Sequence, residues 1–149
     1  MTHLTITSPA FEDRGLIPSK YTCDGGDTNP PLAIDNIPHD TKSLVLIVED
    51  PDSVGKTWIH WILFNINPAT TFIQEKNVPS RTTQGVNDFG RSGYGGPCPS
   101  NGTHRYYFKL YALDTMLDET EDVTRQEIGS AMQGHIIEEA ELVGLYTRE

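Results

Sequence analysis

Three side chains able to take part in proton exchange, Asp50, His60 and His104, punctuate apolar runs in the middle of this chain. A carboxylate that accepts from one imidazole nitrogen orients the ring and leaves its other nitrogen for a ligand. The first run is Leu44-Val45-Leu46-Ile47-Val48-Glu49-Asp50, the second Trp58-Ile59-His60-Trp61-Ile62-Leu63-Phe64, and the third opens as His104-Arg105-Tyr106-Tyr107-Phe108. Side chains two apart share a face of a strand. Parity places Asp50 with Leu44, Leu46 and Val48, His60 with Trp58, Ile62 and Phe64, and His104 with Tyr106, Phe108 and Leu110. Polar groups in such company predict a small, partly buried polar pocket.

Each residue also has a plainer reading. Asp50 could cap the turn before Pro51, since Asx turns are frequent. His60, between two tryptophans, could be a satisfied core histidine, and Tyr106 a core aromatic with an idle hydroxyl. Asp52 reads as a turn or rim residue. Arg105 has the opposite parity and reads as structural, with Asp88 as a candidate partner. Between the second and third runs lies Gly93-Tyr94-Gly95-Gly96-Pro97-Cys98-Pro99. Consecutive N–H groups at Gly95 and Gly96 could form an anion nest, and the prolines would stiffen it.

Other motifs fail. Asp50-Pro51-Asp52-Ser53-Val54-Gly55 starts like a calcium loop, but Val54 and Trp61 stand where ligands belong. The glycines of residues 90–95 have the wrong spacing for a dinucleotide fingerprint. His60, His104, Cys23 and Cys98 lack tight zinc spacing. A Cys98–His104 nucleophile pair is conceivable, but Cys98 reads better as a small packed residue. No metal, cofactor or catalytic residue is assigned.

The positioning elements follow from periodicity. Strands are expected at 43–49, 58–66 and 105–113, and a last strand at 140–146. Thr124-Arg125-Gln126-Glu127 is a capping box, and Ile128, Ala131, Met132 and Ile136 continue a helix over about 125–137. Residues 1–40 are turn-rich, Ile73 lies in a weak extended piece, and 85–102 is a long loop ordered by Phe89, Tyr94 and Cys98. With 149 residues, one domain at 1–149 is expected.

The net charge is −10, with 11 Lys and Arg spread thinly. That argues against a nucleic-acid partner. No run is long enough to span a bilayer, and Met1 to Ile6 lacks a signal pattern, so a cytoplasmic location with free thiols is expected.

At two blocks the chain resembles the phosphatidylethanolamine-binding proteins, in their bacterial and archaeal Raf-kinase-inhibitor-like branch. One block is Ser43 to Asp52 with Trp58-Ile59-His60-Trp61. The other is Asp88-Phe89-Gly90-Arg91-Ser92-Gly93-Tyr94-Gly95-Gly96-Pro97-Cys98-Pro99, continuing into Gly102-Thr103-His104-Arg105-Tyr106. Tyr21-Thr22-Cys23-Asp24-Gly25 and Met132-Gln133-Gly134-His135 fit as well. Ser100 departs from the proline common there.

The resemblance implies a mostly β fold, a large antiparallel sheet beside a smaller one with Greek-key connections and peripheral helices. It implies a ligand site at Asp50, His60, Gly96, His104 and Tyr106 for a small anion or phosphorylated ligand. It also implies a homodimer, and as alternatives an inhibitor of a serine protease or kinase, or a small hydrolase. The same family segments bring Cys23 and Cys98 near one another at the pocket border, where they could bridge under oxidation if their Cα atoms lie within about 7 Å.

Overall fold

The computed structural model describes residues 3–148. Strand β4 (Ser43–Asp50) is buried at every position, because both its faces are covered and both its edges are paired. Its even side chains Leu44, Leu46 and Val48 pack with Leu32, Ile34 and Ile73. Its odd ones, Val45 and Ile47, pack with Ile128 and Met132. A strand enclosed in this way reads as a continuous apolar run, rich in β-branched residues.

Around it runs a six-stranded sheet in the order β2 (Gly15–Leu16), β9 (Ile136–Arg148), β8 (Gly102–Leu113), β4, β5 (Trp58–Ile66) and β7 (Thr83–Gln84). Strands β4, β5 and β7 follow one another across the sheet, and β8 then returns to lie beside β4, which is Greek-key connectivity. The pairing is antiparallel except at one end, where Gly15 and Leu16 run parallel to Gly144 and Leu145. A three-stranded antiparallel sheet of β1 (Thr5–Thr7), β3 (Leu32–Asp35) and β6 (Phe72–Ile73) covers one face. The one α-helix among the described residues, α1 (Arg125–Met132), covers part of the other.

The expected capping box is present, with both reciprocal bonds between Thr124 and Glu127. The helix is shorter than its apolar spacing predicts. It stops at Met132 because Gly134 takes a positive φ of 81° and Ile136 already pairs with Leu113. The chain must reverse at once for β9 to run the length of β8. That demand also extends β9 beyond the expected 140–146.

Glu49 and Asp50 are neighbours with opposite duties. Glu49 faces α1 and meets Lys109 Nζ at 3.2 Å and Arg125 Nε at 3.1 Å. Asp50 faces the other way, toward the hollow described below.

Residues 85–99 run along the edge of β5 as an ordered loop. Asn87 is its centre. Its Nδ2 donates to Gly93 O, and its Oδ1 accepts from the Phe89 and Arg91 N–H groups. No peptide bond among the described residues is cis, so the bonds before Pro97 and Pro99 are trans.

The two cysteines, expected as free thiols, are instead joined. Cys23 and Cys98 form a disulfide with Cα atoms 5.5 Å apart, and the Cys23 N–H donates to Pro97 O. Sequence could not settle this, because the two lie 75 residues apart. Closing so long a loop restricts the unfolded chain, and its loss should cost about 2–4 kcal/mol. Thermal denaturation of the Cys23→Ser, Cys98→Ser double variant should show a clearly lowered midpoint. An unchanged midpoint would mean that backbone contacts alone hold the two loops.

Candidate functional site

Strand pairing aims the first histidine. Val48 lies opposite Trp61 and Glu49 opposite Ile59, so one step on β4 matches two on β5. His60 is the extra residue of a β-bulge, which breaks alternation and redirects a side chain. Parity had placed His60 with Ile62 and Phe64. Those two pack on the helix side. His60 faces the other side, edge-on to the rings of Phe89 at 5.4 Å and Tyr106 at 5.3 Å.

The ring is 3% exposed and fixed by the glycine loop. His60 Nδ1 lies 2.6 Å from Gly95 O, and the Gly95 N–H donates back to His60 O. A carbonyl only accepts, so the proton sits on Nδ1. Nε2 then carries a lone pair and makes no hydrogen bond among the described residues. Burial pushes the pKa of His60 down, against the smaller opposing pulls of the Gly95 carbonyl and Asp50.

His104 opens β8 and is held by Asp50 at the end of β4. Its Nδ1 donates to Asp50 Oδ2 at 2.6 Å. Asp50 Oδ1 accepts from the Asp52 N–H at 2.8 Å, so the turn-capping role and the histidine-orienting role coexist in one carboxylate. Both His104 and His60 therefore spend Nδ1 internally and keep Nε2.

These groups line a cavity of about 230 Å³. Its polar wall is Asp50, His60 and His104 with Ser53 and Ser100, and its apolar wall is Val54, Trp58, Phe89 and Pro99. Cys98 borders it, so the disulfide ties one wall to residues 19–27. Ser53 and Val54 place the 50–57 loop at the hollow. Phe89 was legible only as a packing residue of its loop.

Two expected site residues stand behind the wall. Tyr106 is fully buried between the imidazoles, its ring stacked on His104 at 6.4 Å, and its hydroxyl finds no partner among the described residues. Burial and the negative charge of Asp50 raise its pKa, so it stays protonated. Gly96 does not offer its N–H to a ligand, because that group donates to Asp27 Oδ1 at 2.8 Å. It is glycine for space. A Cβ there would meet Tyr21 O at 2.3 Å and Thr22 Cα at 2.9 Å. Asp27 has no signal in sequence, being 69 residues away.

Arg105 pairs with Asp52, not Asp88. Its Nε and Nη2 reach the two carboxylate oxygens at 2.9 and 2.7 Å, and this holds the Asp52 pKa down at about 2. Asp88 instead accepts from the Ile59 N–H and from Lys56. Among the described residues no group of three His, Cys, Asp or Glu side chains is arranged to hold a metal ion. No helix there is long and apolar enough to cross a membrane.

The buried neutral His60 makes stability depend on pH. Above its ordinary pKa of 6.5 the ring is neutral in both the folded and the unfolded chain. Below that value the unfolded chain takes up the proton first, so folded stability is lost as pH falls toward the lowered folded value. Unfolding midpoints between about pH 7.5 and about pH 5.5 should fall more steeply for wild type than for His60→Gln. Parallel slopes would show that His60 is not held neutral.

Comparison with known proteins places the sequence and the fold in a family. A family model described as phosphatidylethanolamine-binding protein matches residues 7–147. A UPF0098 protein of Methanothermobacter thermautotrophicus is 48% identical over 150 residues, covering 97% of this chain and 99% of its own. The crystal structure of a phosphatidylethanolamine-binding protein homologue of Chlamydia trachomatis superposes with a TM-score of 0.96 at 43% identity, covering all of both chains. Escherichia coli YbcL, a member of the mammalian family, superposes with a TM-score of 0.93 at 29% identity, covering 99% of this chain and 100% of that one. On a family match over residues 7–147 and sheets that superpose throughout, the chain belongs to the phosphatidylethanolamine-binding protein family.

Proposed function

We propose that the cavity binds a small anion, and that a phosphoryl group is the chemistry it suits best. The observation that carries this reading is the pair of anchored imidazoles. Each has its Nδ1 fixed, one by Asp50 and one by Gly95, and each keeps Nε2 free beside the same 230 Å³ hollow. Two ring nitrogens on rigid supports meet a tetrahedral oxyanion at little ordering cost. The family name, which refers to a phospholipid, points to the same chemistry.

His104 has the better position to donate to an anion, because its Nδ1 already donates to a carboxylate and its Nε2 is left for the ligand. His60 brings a lone pair, so closing the second contact needs a proton from somewhere. Binding should therefore take up a proton, and affinity should weaken as pH rises through the histidine range.

Calorimetric titration with inorganic phosphate at about pH 6 and about pH 8 tests this directly. His104→Ala should weaken binding by about tenfold or more and flatten the pH dependence, since a hydrogen bond to a charged group is worth about 1.5–3 kcal/mol. Binding by the variant equal to wild type, with the same pH profile, would make His104 structural and defeat the reading.

A further inference from the structure

The cavity asks for an unusual distribution of protons in its ligand. Its lining holds one carboxylate, Asp50, and no Lys or Arg. The nearby cations are committed elsewhere: Lys56 to Asp88, Arg105 to Asp52, and Arg91 to Asp27 and Tyr94 O. A dianion entering here would face Asp50 with one imidazolium at most, the His104 ring that donates from both nitrogens, to balance it. A monoanion is the better charge match.

Hydrogen-bond polarity narrows the class further. His60 Nδ1 is committed to Gly95 O, so Nε2 presents an acceptor to the ligand. Burial keeps the ring in that form, although the backbone of Gly95 and Gly96 and the charges of Asp50 and Asp27 all favour the charged one. Phe89 and Tyr106, the rings packed against His60, bring no charge. A buried acceptor left facing another acceptor is costly. A phosphodiester has only acceptors at phosphorus, as does an ionised carboxylate. A phosphomonoester with one proton has a P–OH donor and anionic oxygens in the same group. Its second ionisation lies near pH 6, so the protonated form remains accessible at neutral pH.

The remaining wall is apolar. Trp58 and Phe89 stand edge to face at 5.6 Å, Phe89 is 40% exposed, and Val54 is 88% exposed over the opening. Such surfaces suit a flat or apolar ester substituent.

We propose that this cavity selects singly protonated phosphomonoesters of apolar alcohols, the P–OH donating to His60 Nε2 and an anionic oxygen accepting from His104 Nε2. The selection rests on the phosphoryl reading above and adds to it. It sets the site apart from the headgroup phosphate of phosphatidylethanolamine, which is a diester and has no such proton.

The test compares phenyl phosphate, methyl phenyl phosphate and inorganic phosphate by calorimetry on the whole chain near pH 6, where about half of the monoester carries one proton. The first two share the aromatic ring and differ in whether phosphorus can carry a proton. Phenyl phosphate should bind about tenfold or more tightly than methyl phenyl phosphate, because the diester leaves Nε2 unpaired. It should also bind more tightly than inorganic phosphate, which cannot use the apolar wall. Nitrogen-15 histidine spectra of the phenyl phosphate complex should show His60 neutral with its proton on Nδ1. A diester that binds as well as the monoester, or a doubly protonated His60 in the complex, would overturn the selection while leaving an anion site in place. Parity with inorganic phosphate would overturn the role of the apolar wall. Failure of all three probes to bind would defeat the phosphoryl reading itself.

Discussion

The pairing of β4 with β5 carries an extra residue at His60, and the position of the chemistry depends on it. With strict alternation, His60 would share a face with Ile62 and Phe64, which pack against α1. The bulge lets Ile59 pair with Glu49 on the helix side while Trp61 pairs with Val48 and packs on the other. His60, between them, turns toward Tyr106 and Asp50. A central sheet covered on both faces cannot slip register cheaply, because every side chain would change environment. The bulge is therefore held by the whole core, and the histidine it aims is held equally firmly.

The second support is the contact between the glycine loop and residues 19–27. Gly95 fixes the His60 ring from behind through two reciprocal bonds. Gly96 allows the loop to lie against the Tyr21–Thr22 backbone, Asp27 fastens its N–H, and the Cys23–Cys98 disulfide closes the join. Glycine appears here for closeness of approach. The loop immobilises the His60 ring, and the Gly95 and Gly96 amides are spent within the fold.

Electrostatics divides the molecule by sheet face. Glu49 is buried with two cations, Lys109 and Arg125, and serves to attach α1 to the sheet. Asp50, one residue on, meets a histidine and no full cation. The strand's alternation thus separates a structural ion-pair cluster from a site whose charge state can change with its ligand. Against an overall charge of −10, the proposed site has no fixed cation in its lining, so an anion bound there would be held by local hydrogen bonds, not by long-range attraction.

Much of this was already written in the chain. The apolar runs gave three central strands because β-branched periodicity needs only local residues, and the Thr124–Glu127 box started α1 as a local exchange of hydrogen bonds. Asp50, His60 and His104 could be singled out as polar residues in apolar company, and the resemblance of two blocks assigned them to one pocket. Pairing decided what remained. The bulge exists only in the register of β5 against β4. The true partners of Arg105 and Gly96, and the joining of Cys23 to Cys98, are contacts between segments far apart in sequence. The tautomer of His60 depends on a carbonyl 35 residues away, Gly95 O. Local sequence can place a histidine on a strand. Only the folded chain decides which of its nitrogens is left for a ligand, because that depends on what the rest of the structure sets against the other one.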